Sequence, residues 1–185
     1  MLFYSYLVRT VNYLREKKKA RYIDALIKRG LKLGKNVDII DTFFFDPSHC
    51  FLISIGDNCT ICPNVRLIAH DASTKKHCGY TKMGRIDIKE NCFVGDSTII
   101  LPNITIGPSS IIGAGSVVTK DVPPHMIAAG NPAKVISSVG DYIAKMEGIS
   151  KEKKIFGEEY YIDRLDDSKR KEIIQSIGDT IGFIV

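Results

Sequence analysis

The chain has 185 residues, 44% of them hydrophobic and 25% charged, and carries a net charge of +5 at pH 7. That size and balance suit one medium water-soluble fold with its own core, and no apolar run approaches the roughly 20 residues needed to span a bilayer. The five cysteines are odd in number and lack framework spacing, which fits a reducing compartment and argues against a disulfide scaffold.

The charge is uneven. Residues 1–35 hold ten Lys/Arg against Glu16 and Asp24, a local balance of +8 that leaves −3 for the remainder. Basic character belongs to this segment, so nucleic-acid binding does not follow for the whole chain. The opening MLFYSYLVRT has no positive region ahead of its apolar stretch and no small-residue cleavage site, so it reads as mature sequence and not as a signal peptide. Residues 1–32 form an N-terminal helical segment. Leu7, Val8, Val11 and Leu14 share one face, Tyr22, Ile23, Leu26 and Ile27 another stretch of face, with Lys17-Lys18-Lys19 between and Gly30 as a stop. Two roles are open to it. It shields the open end of the following repeat as a solenoid cap, or residues 1–20 hold the protein on an anionic membrane surface.

Repeats begin at Leu33-Gly34 and continue at Ile39. Phe45 to Ile55 is ten residues where twelve would keep the rhythm, so the register slips at Asp46-Pro47. The rhythm returns at Ile55, Ile61 and Leu67. Cys59 and Cys62 form a lone CxxC, but Cys59 fills the small fifth position of its block, so metal or redox chemistry there is the weaker reading. Residues 71–85, DASTKKHCGYTKMGR, break the pattern and leave the repeat as an excursion that returns at Ile86. Loops of this length inside a regular scaffold are usually functional.

The stretch from Ile88 to Pro123 then reads in sixes: IKENCF, VGDSTI, ILPNIT, IGPSSI, IGAGSV, VTKDVP. Each block opens on Ile or Val and places a small or β-branched residue fifth. Three such blocks close an 18-residue triangular coil, so Val94 should stack on Ile112 and Ile88 on Ile106, about 4.8 Å apart. Glycines at Gly95, Gly107 and Gly113 are assigned to tight corners of unusual φ. Periodicity predicts a mainly β fold, a parallel β-helix, but leaves its hand open. Residues 33–136 form this domain. Residues 137–185 form a C-terminal helical extension, with an extended MIAAGNPAKVI ahead of it, a helix near 137–147, and a short helix capped at Asp166 or Asp167 and ended by Gly178.

The set VGDSTIILPNITIG, IGAGSVVTKDVP and AAGNPAKVI closely resembles the hexapeptide-repeat acyltransferases, and among them the sugar and capsular polysaccharide O-acetyltransferases. The resemblance covers residues 53–136. It implies a left-handed parallel β-helix, a homotrimer, acetyl-CoA in a groove between subunits, no required metal, a sugar or glycan acceptor, and a cytoplasmic site of action, at the inner membrane face if residues 1–20 bind lipid. By the same resemblance His70, which closes LIAH, is the general base. A hydroxyl attacks a thioester poorly unless a base takes its proton, and neutral imidazole is matched to pH 7. Asp71 is one candidate to orient the ring, although neighbours on an extended chain point to opposite sides, and a backbone carbonyl or another carboxylate is the alternative.

The resemblance also assigns the amide of Asp96, after Gly95, to the oxyanion, and Ala114 to the pantetheine arm. Thr119, Lys120 and Lys134 are assigned to the CoA phosphates and nucleotide. His77, Tyr80, Lys82 and Arg85, with Lys75 and Lys76, are acceptor-contact candidates in the excursion, while His49 and His125 read as non-catalytic. Four alternatives stay open: N-acetylation of an amino-sugar nucleotide, a serine acetyltransferase lacking its long helical domain, a γ-carbonic anhydrase-like zinc enzyme, and a non-catalytic binding module.

Overall fold

The computed structural model describes residues 2–185, and side chains from residue 10 onward except Asn12. The chain divides into two compact units, Met1–Val139 and Gly140–Val185.

The first unit is a left-handed parallel β-helix of three faces. The first face stacks Lys32–Leu33, Ile53–Ile55, Ile86–Ile88 and Ile104–Ile106. The second stacks Asp38–Ile39, Thr60–Ile61, Phe93–Val94, Ile111–Ile112 and Met126–Gly130. The third stacks Phe43–Phe45, Val65–Leu67, Ile99–Ile100 and Val117–Val118. Val94 pairs with Ile112 and Ile88 with Ile106, the register the sixfold period predicts. First-position side chains point inward and vanish from solvent: Val94, Ile100, Ile106 and Ile112 are each 0% exposed. The fifth positions are buried with them, and their polar members find partners. Ser110 Oγ donates to the Pro123 carbonyl at 2.8 Å, and Thr98 Oγ1 to the Gly113 carbonyl at 3.3 Å. Buried hydroxyls are tolerated only when bonded in this way. Cys59 and Cys92 are buried free thiols that donate to the Lys89 and Gly107 carbonyls, so Cys59 is core and not half of a metal knuckle.

The corners correct one expectation. The left-handed corner residues are mostly not glycine: Asn36, Asn58 and Asn91 take φ between 53° and 57°, and their amides bond to one another down the stack. Asparagine visits this region at low cost and adds a ladder of hydrogen bonds. Gly95 keeps ordinary φ and is needed for room instead, since a Cβ there would sit 2.6 Å from the Ala114 nitrogen of the next coil.

Helix α1 (Leu2–Lys28) is one continuous helix. Its last turns close the end of the coil stack: Leu26 is 1% exposed, Ile23 packs against the core, and Cys50 Sγ reaches the Leu26 carbonyl. The expected apolar face does not extend along the helix, because Val11 and Leu14 are 47% and 58% exposed; Leu7 and Val8 lie outside the described side chains. At the other end, Met126–Gly130 and Ala133–Ser138 form an antiparallel pair around a cis Asn131-Pro132 bond. Among the described residues no helix is long and apolar enough to cross a membrane.

The second unit contains helix α3, which begins at the junction (Val139–Ser150), a parallel pair of Ile155–Phe156 with Phe183–Ile184, and helix α4 (Asp167–Ile177). Asp166 caps α4 by accepting from Lys169 N–H at 2.8 Å, and Gly178 ends it. Phe156, 3% exposed, packs edge-on to Tyr160, whose hydroxyl donates to Glu172.

Coil stacking makes each inward aliphatic a contact for the coils above and below. Ile106→Ala is expected to cost about 2–5 kcal/mol, the range for deleting a buried aliphatic side chain. Urea denaturation should show it as a lowered midpoint with an unchanged slope.

Candidate active site

Two coils are longer than 18 residues, and both extra segments emerge on the edge where the third face turns into the first. Leu33 pairs with Ile55, so the first coil is 22 residues long, and its extra residues form the turn and short 3-10 helix Cys50–Leu52 after Asp46. In the next coil the excursion follows His70. It is a small hairpin, His70–Asp71 against Lys82–Met83, enclosing the short helix α2 (Lys75–Cys78). Gly84 N–H returns to the Ala69 carbonyl at 3.0 Å, closing the loop beside the histidine.

These two departures bring Asp46 under His70. The Asp46 side chain is 1% exposed and its Oδ2 lies 2.5 Å from His70 Nδ1. The same oxygen accepts from Ala69 N–H at 3.1 Å, and Oδ1 accepts from Ser48 and His49 N–H at 3.2 Å each. Burial pushes the Asp46 carboxyl up, but the hydrogen bond and charge of His70, then the backbone N–H and ring of His49, outweigh it and hold the group below its ordinary value. An ionised carboxylate can only accept. Nδ1 of His70 therefore carries the proton, and Nε2 is left as the basic nitrogen on a side chain 34% exposed. This pair can take a proton from a hydroxyl and hold the resulting imidazolium.

Asp71, one of the candidates for this role, faces away: its carboxylate binds Lys82 Nζ at 2.7 Å and Ser73 N–H at 2.8 Å, which hold it well below the usual carboxylate range. Asp46 is the partner that sequence reasoning missed. The available signal was the register slip after Phe45, which pairs with Leu67 and so puts the next residue beneath the segment ending in His70.

His49 also enters the site. Its ring centroid is 4.5 Å from that of His70, and its Nδ1 is 3.8 Å from Asp46 Oδ1 and buried without a hydrogen-bond partner. Asp46, His49 and His70 each offer a ligand atom within 4.8 Å of the others, so these three residues could hold a divalent cation. His125, by contrast, is a corner residue of left-handed φ, its N–H donating to the Pro108 carbonyl.

The remaining candidates divide between two edges of the triangular prism. Gly95, Asp96 and Ala114 lie where the second face turns into the third, with Gly95 N–H on the Ile112 carbonyl and Gly115 N–H on the Asp96 carbonyl. Lys134 is on the hairpin strand beside Ala129, which abuts Gly113, so it extends this edge. Thr119 and Lys120 are exposed on the other edge, which also carries His70. One chain therefore does not bring His70 together with the Asp96 amide. In the excursion, His77 is exposed, Tyr80 is 76% exposed, and Lys82 is held by Asp71, while Arg85 stands at the start of the first face.

The first unit is thus a coil of hexapeptides with a carboxylate–histidine pair on one edge. The family model described as bacterial transferase hexapeptide (six repeats) matches residues 85–120. Galactoside O-acetyltransferase of Escherichia coli (strain K12) is 38% identical over 120 residues, 62% of this chain and 54% of that protein. The crystal structure of a maltose O-acetyltransferase from Clostridium difficile 630 superposes with a TM-score of 0.51 at 30% identity, covering 62% of this chain and 73% of that one. The polySia specific acetyltransferase NeuO gives a TM-score of 0.50 at 33% identity, covering 57% and 47%. The chain belongs to the hexapeptide-repeat acyltransferase family. It spans just over half the length of the curated relatives it matches, 54% in the galactoside case.

Proposed function

We propose that the protein transfers an acetyl group from acetyl-CoA to a sugar hydroxyl, with His70 as general base, in the assembly of a glycan. The observation that carries this reading is the Asp46–His70 pair, a base of fixed tautomer on an exposed edge. His70 Nε2 takes the hydroxyl proton as the oxygen attacks the acetyl carbonyl. The intermediate collapses with loss of the CoA thiolate, which recovers the proton from the imidazolium. The Asp96 N–H, which bonds to no backbone carbonyl among the described residues and faces the Cys62 sulfur, is the proposed oxyanion donor. Gly95 and Ala114 leave that edge low enough for the pantetheine arm, and Lys134 meets the nucleotide phosphates.

Since His70 and Asp96 occupy different edges, a second copy must supply one of them. A cyclic trimer satisfies this three times over, with one site in each groove between chains. Thr119 and Lys120 then meet CoA from the His70 side of that groove. Residues 33–136 carry the chemistry, residues 1–32 close the coil, and residues 137–185 are an appended unit. The protein works in the cytoplasm. The exposed Val11, Tyr13 and Leu14 beside the run Lys17–Lys19 favour a contact with the inner membrane face.

The test is release of CoA thiol from acetyl-CoA with saccharides offered in turn, alongside the mass in solution by sedimentation. Saccharide-dependent release by a species three chains in mass supports the reading. A monomer that is fully active overturns the shared site, and N-acetylation of an amino sugar is supported if only amine acceptors respond.

A second reading rests on the Asp46–His49–His70 cluster, whose donors suit zinc as well as proton transfer. Dialysis against EDTA is expected to leave thiol release unchanged, because the proposed step uses Nε2 of a metal-free His70. Loss of activity on chelation, restored by zinc, would replace the general-base reading with a metal-assisted one.

A further inference from the structure

The first face of the β-helix carries a groove of 370 Å³, of whose lining residues only Arg85 was an expected acceptor contact. Its volume is in the range of small-molecule sites. Lys32 lies on the first strand of this face, Ser54 on the second with Phe51 in the turn leading into it, and Asp87 on the third with Arg85 just before it. Stacked coils thus deliver side chains to one strip about 10 Å tall.

The groove adjoins the histidine pair from two directions. Phe51 has its ring centroid 5.8 Å from that of His49, which lies 4.5 Å from that of His70. Three rings therefore run in a row from groove to base. In the segment leading into the next strand, Arg85 follows Gly84, whose N–H is bonded to the Ala69 carbonyl next to His70. Both of these segments are the irregular ones, the residues after Asp46 and the end of the excursion. The departures from the repeat that assemble the base also assemble the groove.

Its charge is unbalanced. Asp87 is already engaged, accepting from Ser54 Oγ at 2.8 Å and paired with Lys89 Nζ. Lys32 and Arg85 are exposed and make no salt bridge within 4 Å among the described residues, although the Lys32 charge is near enough to help lower the Asp87 carboxyl, so the three lining charges sum to +1. A guanidinium on one coil and an ammonium two coils below leave a net positive pocket with an aromatic wall, Phe51 being 54% exposed. Aromatic faces accept the apolar faces of sugar rings, and an arginine fork matches a planar carboxylate or a phosphate.

We infer that this groove is the acceptor site and that the acceptor is an anionic sugar, its ring against Phe51 and its carboxylate or phosphate between Arg85 and Lys32, with the reacting hydroxyl directed along the ring row toward His70. The inference rests on the reading of His70 as the transfer base, but binding can be measured without transfer.

The experiment is calorimetric titration of the full-length protein and of its His70→Ala variant with three probes: a glucuronic-acid disaccharide, glucose 1-phosphate, and neutral maltose. The anionic probes should bind both proteins alike and maltose at least tenfold more weakly. Which anion binds more tightly distinguishes a carboxylate from a phosphate acceptor. Arg85→Gln and Lys32→Gln, both at exposed positions, should each weaken the anionic probes about tenfold, the scale of one charge-assisted contact, and leave maltose unchanged. Phe51→Ala should weaken all three. Maltose binding as tightly as the anions, or anion affinity indifferent to both charge substitutions, overturns the inference. Tight anion binding together with unimpaired transfer in His70→Ala would keep the groove and overturn the role of the base instead.

Discussion

His70→Ala is expected to lose at least about 100-fold in kcat/KM for the sugar acceptor, the lower end of what a positioned general base contributes. The loss should fall on kcat and leave the KM for acetyl-CoA near its wild-type value, because the donor's proposed contacts are made by Gly95, Asp96, Ala114, Thr119, Lys120 and Lys134 and not by the His70 side chain. The side chain is 34% exposed and makes its hydrogen bond at its inner nitrogen, so truncation should leave the melting temperature within a few degrees. An amine acceptor needs less help from a base, so a loss below tenfold with full saccharide dependence would favour N-acetylation. The measurement is steady-state thiol release by both proteins, with circular dichroism confirming the fold.

Asp46→Asn is expected to cost a comparable factor by a different route. The amide keeps the shape: with its oxygen accepting from Ser48 and His49 N–H, its NH₂ takes the place of Oδ2, where it can donate to His70 Nδ1 but meets the Ala69 N–H donor to donor. That presents the wrong tautomer to the substrate and removes the charge that stabilises the imidazolium, a change that costs about 10⁴-fold in the serine-protease triad. The variant should therefore lose roughly 10²–10⁴-fold in kcat.

Its stability follows a definite pH window. The carboxyl is held below its ordinary value of 3.8, so its contribution is fully present above that value and disappears as pH falls through the lower, folded-state value. The melting-temperature gap between wild type and Asp46→Asn should be constant from pH 7 to about 5 and close below about 3.8. A gap unchanged down to pH 3 would mean that the carboxylate charge contributes nothing to the folded state.

The coil was legible in the residues because its cause is local. An aliphatic residue at every sixth position can be buried only if the chain turns at that interval, and Val94–Ile112 and Ile88–Ile106 pair accordingly. The excursion at 71–85 was legible for the opposite reason, since polar residues without the period cannot stay in the coil. The hand of the coil and the role proposed for His70 rest on resemblance in motifs such as AAGNPAKVI, not on spacing. Misread was the purpose of the glycines: Gly95 answers the approach of Ala114 from the next coil, a distance that no single repeat reveals.

Sequence alone determined the repeat, its register, the place where the chain leaves it, and the histidine at that place. Only the tertiary structure decided that Asp46, not Asp71, holds His70, that His49 and Phe51 continue the row of rings, and that His70 and Asp96 stand on different edges. The physical reason is range. Inward-facing periodicity is written within each six residues, whereas the partner of His70 lies 24 residues away and meets it because an irregular turn in one coil is stacked beneath an irregular loop in the next.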